Sequence, residues 1–432
     1  MMVRRTSWGL MGGGIIFFLL SWGLFYLVPH IHYHQDIDSG AYLQAAHFFL
    51  EDGSFQKLHA VPYYGLGYPF LLALLKKIGG NSLGFIIAVQ ALLGWFLALL
   101  VWRISDQLFN RKAAWIGYFL AITNIGILVF VQFLLTEIVL TLLLSIAAER
   151  ILTFLRWPRL HLLFTAGVCL ALSCTVKAVA LFFMLPLFIF IGTCSQKKLR
   201  IRALSILWIA FGLPYGSYQL FTALTFQQAG RSMVGINLCY WYYPHLRAHI
   251  NGTSSDEERY FLQHKVPYNE VLPMLAKDVL KYPVKAILAL AKNWIKTLAG
   301  LYSTHLKLLM ESPYFWAGRS FFHLRGSWIA RGVEYITGRT TLLWVKGIAL
   351  VEAFMLLLRY FVIPFGLLVL YRKRRWRELI FVMLYVGYFI GISGHDGCAR
   401  FRMMSELLLL ALAAGGAIAL WYGVLSKCRT LE

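Results

Sequence analysis

Long apolar runs alternate with short, arginine-rich segments along the chain. Residues 8–28, 84–101, 113–131, 134–155, 203–224, 341–370, 379–392 and 403–424 are predominantly apolar, and a helix crossing a bilayer needs roughly 20 such residues. Residues 161–192 form a further run, too long for one crossing and interrupted by Lys177. Read as two short spans, it places Lys177 at the turn between them. The pattern predicts an all-α polytopic membrane protein of about ten transmembrane helices. The first run follows Arg4 and Arg5, as in a secretory signal. It is longer than the roughly 7–15 residues of a signal core and no A-x-A site follows, so it reads as a retained anchor.

Composition removes the alternatives. The 432 residues are 59% hydrophobic and 14% charged, whereas soluble domains carry about 25% charged residues. A soluble enzyme and a disordered chain are both excluded. The six cysteines form no C-x-x-C pair and read as small apolar packing residues.

The formal net charge of +22 is large and could serve nucleic acid, a membrane surface or an anionic substrate. Its placement decides. Arg103, Arg111 and Lys112; Arg150, Arg156 and Arg159; Lys197, Lys198, Arg200 and Arg202; and Arg372 to Arg377 fall in alternate inter-span segments. The short segments between hold few basic residues. Basic loops stay cytoplasmic, so both termini are expected inside and no nucleic-acid role follows. Two outward segments are long, 29–83 and 225–340. The expected organisation is an N-terminal transmembrane module (1–224), an outward region with amphipathic helices (225–340) and C-terminal transmembrane helices (341–432). Residues 284–309 read as one amphipathic helix, with Lys285, Lys292, Lys296 and Lys307 at helical spacing; it suits either the membrane interface or packing on its own region. Lys346 and Arg359 lie within the eighth span, where Glu352 is the nearest acidic partner in sequence for either.

Candidate chemistry begins in the first outward segment. Asp38 precedes a helical pattern through Tyr42, Ala46 and Leu50 that ends at Gly53. Asp38 can cap that helix and can also act as general base for an acceptor hydroxyl; the two roles are compatible. Asp36-Ile-Asp38 with His32 and His34 is a candidate divalent-metal set, but D-x-D arises often by chance and no cofactor is required. Glu137 opens the fourth span, and Arg400 and Arg402 open the last. His395 and Asp396 read as turn residues or as an acceptor-site lining. Asn251-Gly-Thr253 is a glycosylation acceptor only in a eukaryotic secretory membrane.

These elements resemble, in order, the GT-C glycosyltransferases, the protein O-mannosyltransferases and aminoarabinose transferases among them. Asp38-Ser-Gly-Ala-Tyr42 matches the family's Asp-x-x-x-Tyr, and Gly67-Tyr68-Pro69 matches its Pro-containing helix start. Glu137, Thr175-Val-Lys177 with Pro186, and Arg400-Phe-Arg402 resemble its later motifs. Ser39 stands where some relatives have Glu, and Leu66-Gly67-Tyr68-Pro69 stands where aminoarabinose transferases have Lys-Pro-Pro, which leaves sugar and acceptor open.

The resemblance implies a GT-C-like bundle that moves a sugar from a polyprenyl-phosphate donor to a hydroxyl on a glycan, lipid or protein, with inversion at the anomeric carbon. It implies Asp38 as base, Lys177, Arg400 and Arg402 at the donor phosphate, and Tyr42, Glu137, Asp36 and Tyr68 in support. A bacterial inner membrane is preferred to the endoplasmic reticulum. A transporter or lipid flippase would show repeated halves, and none is seen. An O-antigen polymerase or ligase would not need the early Asp38-to-Tyr42 motif.

Overall fold

The computed structural model describes residues 2–28, 37–51, 65–226, 238–310, 327, 330–331, 333–334, 343–393 and 398–429. The regular elements among these residues are helical. In chain order they are α1 (Met2–Leu27), α2 (Ile37–Glu51), α3 (Gly67–Gly79), α4 (Leu83–Leu108), α5 (Arg111–Ile122), α6 (Ile125–Val131), α7 (Glu137–Arg156) and α8 (Leu160–Val176). A 3-10 turn at Ala178–Ala180 leads to α9 (Met184–Cys194) and α10 (Lys197–Phe226). A π turn at Leu238–Tyr242 opens the next group, α11 (Tyr243–Asn251), α12 (Ser255–Lys265), α13 (Tyr268–Lys281), α14 (Pro283–Ala299) and α15 (Ser303–Met310). The last three helices are α16 (Leu343–Arg372), α17 (Trp376–Ile392) and α18 (Ala399–Arg429).

Polar side chains fix where several helices start. Ser82 accepts from the Phe85 N–H at 3.3 Å, Asn110 from Ala113 at 3.0 Å and Asn124 from Ile127 at 3.0 Å, satisfying donors that the first helical turn leaves open. The Asn124 cap restarts the chain after α5, so the third expected span is two helices bent by 45°. Among the described residues, five helices, α1, α4, α7, α16 and α18, are long and apolar enough to cross a membrane, or six if the bent pair is one span. The protein is an integral, multi-pass membrane protein. The expected ten is not reached by this measure, because α8, α9 and α17 are short and α10 carries polar residues in its second half. The expected break at Lys177 is present: its backbone is extended (φ −157°, ψ 125°) and ends α8.

The core centres on α18. Every residue from 403 to 414 is buried, Ser405 and Glu406 included. The helix packs along α16 and against α4, α5 and α7. Small residues allow this: a Cβ on Gly416 would overlap the Val362 carbonyl oxygen, and one on Gly366 the Leu412 carbonyl oxygen. Close backbone approach is a common way for helices to associate in lipid. Gly416→Ala is expected to destabilise the protein by about 1–3 kcal/mol, because backbone must move to make room. Thermal unfolding of the purified variant in detergent measures this.

Helices α11 to α14 enclose a second, smaller core of Cys239, Tyr242, Tyr243, Leu246, Leu262, Val271, Leu275, Ala286 and Ala289. Inside it, Glu258 accepts from Arg247 at 2.6 Å, Asn251 at 2.8 Å and Thr253 at 2.8 Å. Burial opposes ionisation of Glu258, but these donors outweigh it and hold the carboxyl below its usual range. The Asn251 amide is thus engaged in a structural hydrogen bond.

The expected single amphipathic helix over 284–309 is two helices, α14 and α15, broken at Gly300. Gly300 lies against Ala399, where a Cβ would come within 3.2 Å of the Ala399 nitrogen. The break is capped from outside. The Arg402 Nη1 group donates to the carbonyls of Leu298 at 2.7 Å and Gly300 at 2.8 Å, at the end of α14. The Glu352 carboxylate accepts from the N–H groups of Tyr302 at 2.6 Å and Ser303 at 2.8 Å, at the start of α15. A cation at a helix C-terminus and an anion at an N-terminus both oppose the local dipole favourably.

Candidate functional site

Four charged side chains, distant in sequence, meet at one end of the bundle. Glu137 is the first residue of α7. Asp38 is the second residue of α2, inside the helix and not at the cap position expected for it. Lys177 leaves the bundle backbone at the end of α8, and Arg400 lies in the first turn of α18. The Arg400 Nη1 group donates to Asp38 Oδ2 at 2.7 Å and its Nε–H to Glu137 Oε1. The Lys177 ammonium stands 3.8 Å from the same Glu137 oxygen and 4.9 Å from the Phe401 ring centroid. Glu137 therefore orients both cations. It is 4% exposed, while Arg400 and Lys177 keep 15% and 17%, so the cations retain an open edge. Arg400 Nη2 makes no hydrogen bond among the described residues.

The aromatic pair behind this group is rigidly held. Tyr42 and Tyr68 are buried and meet edge to face, with centroids 5.2 Å apart. The Tyr68 hydroxyl donates to Gln90 Oε1 at 2.9 Å, and the Gln90 amide donates to the carbonyls of Val131 at 2.7 Å and Phe133 at 3.0 Å. Gln90 was not among the expected residues. Its signal was a lone amide within an otherwise apolar span.

Gly65 ties the first outward segment to Lys177. It adopts φ +80°, and a Cβ there would meet the Thr175 and Val176 carbonyl oxygens at 2.5 and 2.8 Å. Only glycine satisfies both requirements. The turn before α3 thus sits directly on the backbone that ends at Lys177.

Arg402 does not join this group. It is 1% exposed and belongs to a separate buried network, which corrects the expectation that it faces a donor phosphate. Besides the α14 carbonyls, its guanidinium reaches Glu406 at 3.3 Å and Glu352 at 3.9 Å and lies 4.3 Å from the Tyr302 ring centroid. Glu406 also accepts from Asn124 at 2.8 Å, from the Tyr302 hydroxyl at 3.2 Å and from Arg359. Arg359 therefore pairs with Glu406, not with Glu352 as its sequence neighbourhood suggested. Arg400 and Arg402 are two residues apart, roughly 200° around a helix, so they leave α18 on opposite sides.

His305, also unanticipated, lies near Arg400. Its Nε2 is 3.7 Å from the Cys398 sulfur, and its ring packs on Phe130 at 5.1 Å. Burial first, then the Arg400 charge, push its pKa down to about 3, so it is neutral at physiological pH. His32, His34, Asp36, His395 and Asp396 lie outside the described residues. Among the described residues, no group of three or more His, Cys, Asp or Glu could hold a metal ion.

Comparison with known proteins agrees with the family resemblance. Residues 63–217 match the family model described as dolichyl-phosphate-mannose-protein mannosyltransferase. The matched stretch includes Tyr68, Glu137 and Lys177 and is well under half of the chain. No curated protein matches the chain in sequence. Among solved structures, the archaeal oligosaccharyltransferase AglB from Archaeoglobus fulgidus, in complex with an inhibitory peptide and a dolichol-phosphate, aligns with a TM-score of 0.53 and 13% identity over 99% of this chain. The apo form of the Archaeoglobus fulgidus oligosaccharyltransferase aligns with a TM-score of 0.53 and 15% identity over 98% of it. The chain spans about half of those proteins, 52% of each. ArnT from Cupriavidus metallidurans in the apo state gives a TM-score of 0.41 and 11% identity, over 96% of this chain and 78% of that one. The two oligosaccharyltransferase likenesses establish the fold, the GT-C-like bundle that the motif order implied.

Proposed function

We propose that the chain is an inverting glycosyltransferase. It moves a sugar from a polyprenyl-phosphate donor to an acceptor hydroxyl on a glycan, lipid or protein at the outward face of the membrane. The observation that carries this reading is the meeting of Asp38, Lys177 and Arg400 around Glu137. A carboxylate beside two cations suits a reaction in which one oxygen loses a proton and another gains negative charge. The acceptor oxygen attacks the anomeric carbon while Asp38 takes its proton. The bond from that carbon to the phosphate oxygen breaks, and its electron pair goes to the lipid phosphate. Lys177 and the free edge of Arg400 stabilise that charge, Lys as a point charge and Arg through its planar donors. Tyr42 and Tyr68 support the helix that carries Asp38. This reading assigns the departing group's charge to Lys177 and Arg400 and calls for no metal ion. The organisation into 1–224, 225–340 and 341–432, cytoplasmic termini and a bacterial inner membrane belong to the same reading.

Binding of a polyprenyl phosphate, the donor without its sugar, tests the proposal independently of sugar identity. Lys177→Ala is expected to weaken that binding by about tenfold or more, the range of one charge-assisted hydrogen bond. Glu137 keeps Arg400 as a partner in the variant, so the fold is expected to survive. Equal binding by wild type and variant, measured in detergent or nanodiscs, removes Lys177 from the donor site.

A further inference from the structure

Helix α14 is packed inside out. Its buried face consists of Ala286, Ala289, Asn293 and Thr297. The opposite face holds Val284, Ile287, Leu288 and Ile295, which are 67%, 62%, 52% and 56% exposed. These four positions fall within roughly 100° of one another on a helix of 3.6 residues per turn. A helix facing water would place its small and polar residues outward.

The far end of α14 lies at the start of α18, a helix long and apolar enough to cross a membrane: Gly300, just past α14, packs against Ala399, the first residue of α18. The Trp294 indole donates to the Gly391 carbonyl at 3.0 Å, and the Ser393 hydroxyl to Thr297 Oγ1 at 3.0 Å. Gly391 and Ser393 lie at the end of α17, so the end of α14 is held level with the end of α17 and the start of α18. Lys281 and Lys292 are exposed beside the apolar face, where they complement anionic headgroups.

We propose that this face of α14 is a docking surface for the bilayer itself. Val284, Ile287, Leu288 and Ile295 enter the acyl boundary, and Lys281 and Lys292 meet anionic lipid headgroups. The helix would then hold the small α11–α14 core at a fixed height above the membrane. The inference is independent of the reaction proposed above.

Nitroxide amino acids placed singly at Ile287 and Ile295 of the full chain in nanodiscs test it by collision with oxygen and with a water-soluble nickel chelate. Glu257 on α12 serves as the water reference and Phe361 on α16 as the lipid reference. In nanodiscs containing phosphatidylglycerol, the oxygen-to-nickel ratio at both α14 positions is expected to resemble Phe361 and to exceed Glu257 by about threefold or more, given an insertion depth of roughly 5–10 Å. Lys281→Glu with Lys292→Glu is expected to lower that ratio in phosphatidylglycerol but not in phosphatidylcholine nanodiscs. High nickel access at Ile287 and Ile295 overturns the proposal. Low access to both probes also overturns it, because a protein surface then covers the face. An unchanged ratio in the double variant overturns the anionic-headgroup part.

Discussion

Asp38→Asn is expected to lower sugar transfer by about 10²–10⁴-fold, the range attributed to a positioned general base. Asparagine keeps the size of the side chain, and its carbonyl can still accept from Arg400, which stands 2.7 Å away in the wild type. It cannot take up the acceptor's proton. The fold, expression and binding of a polyprenyl phosphate should therefore persist while turnover disappears. That pattern is opposite to the one expected for Lys177→Ala, whose first effect is on binding. Transfer from a polyprenyl-phosphate sugar in proteoliposomes, with thermal unfolding as control, separates the two. Near-normal transfer by Asp38→Asn would sink the assignment of Asp38 as base.

The largest expected loss of stability belongs to Arg402. Arg402→Met leaves the Glu352 and Glu406 carboxylates buried with one cation fewer and strips the carbonyls of Leu298 and Gly300 of their donor. Removing one partner of a buried ion pair costs about 3–5 kcal/mol. The variant should unfold at clearly lower temperature, and amides around the α14–α15 break should exchange faster. Arg402→Lys should recover only part of this, because an ammonium cannot span two carbonyls and two carboxylates as a guanidinium does. A variant with unchanged stability but weakened polyprenyl-phosphate binding would instead return Arg402 to the donor site.

Some of this was legible in the sequence, for physical reasons. Lys177 interrupts a run that bilayer length forbids as a single crossing, and the chain breaks there. Glu137 and Arg400 open spans on the outward side of the predicted topology and Asp38 lies in the first outward segment, so all three are expected on the same side of the membrane. The separation of Arg400 from Arg402 was not legible. Both are basic and open the same helix; which one turns toward Asp38 depends on the rotation of α18, and that is set by packing on Gly366 and Val362. The break at Gly300 was hidden because its caps, Arg402 and Glu352, come from other helices. On α14 the apolar stripe was visible, but periodicity does not tell whether lipid or protein lies against it. The bend at Asn124 was missed because both halves are apolar and only one amide separates them.

The four charged residues of the site sum to zero: Asp38 and Glu137 against Lys177 and Arg400. An empty site of this kind has no net attraction for a departing lipid phosphate, only local donors. In the proposed reaction, transfer of the acceptor's proton to Asp38 adds one positive charge to the protein side as the lipid phosphate gains a negative one. The grip on the phosphate is therefore strongest while the bond is breaking and relaxes once Asp38 gives the proton up. Release of the spent lipid carrier then waits on regeneration of the base, so the carrier should leave no faster than Asp38 is reset.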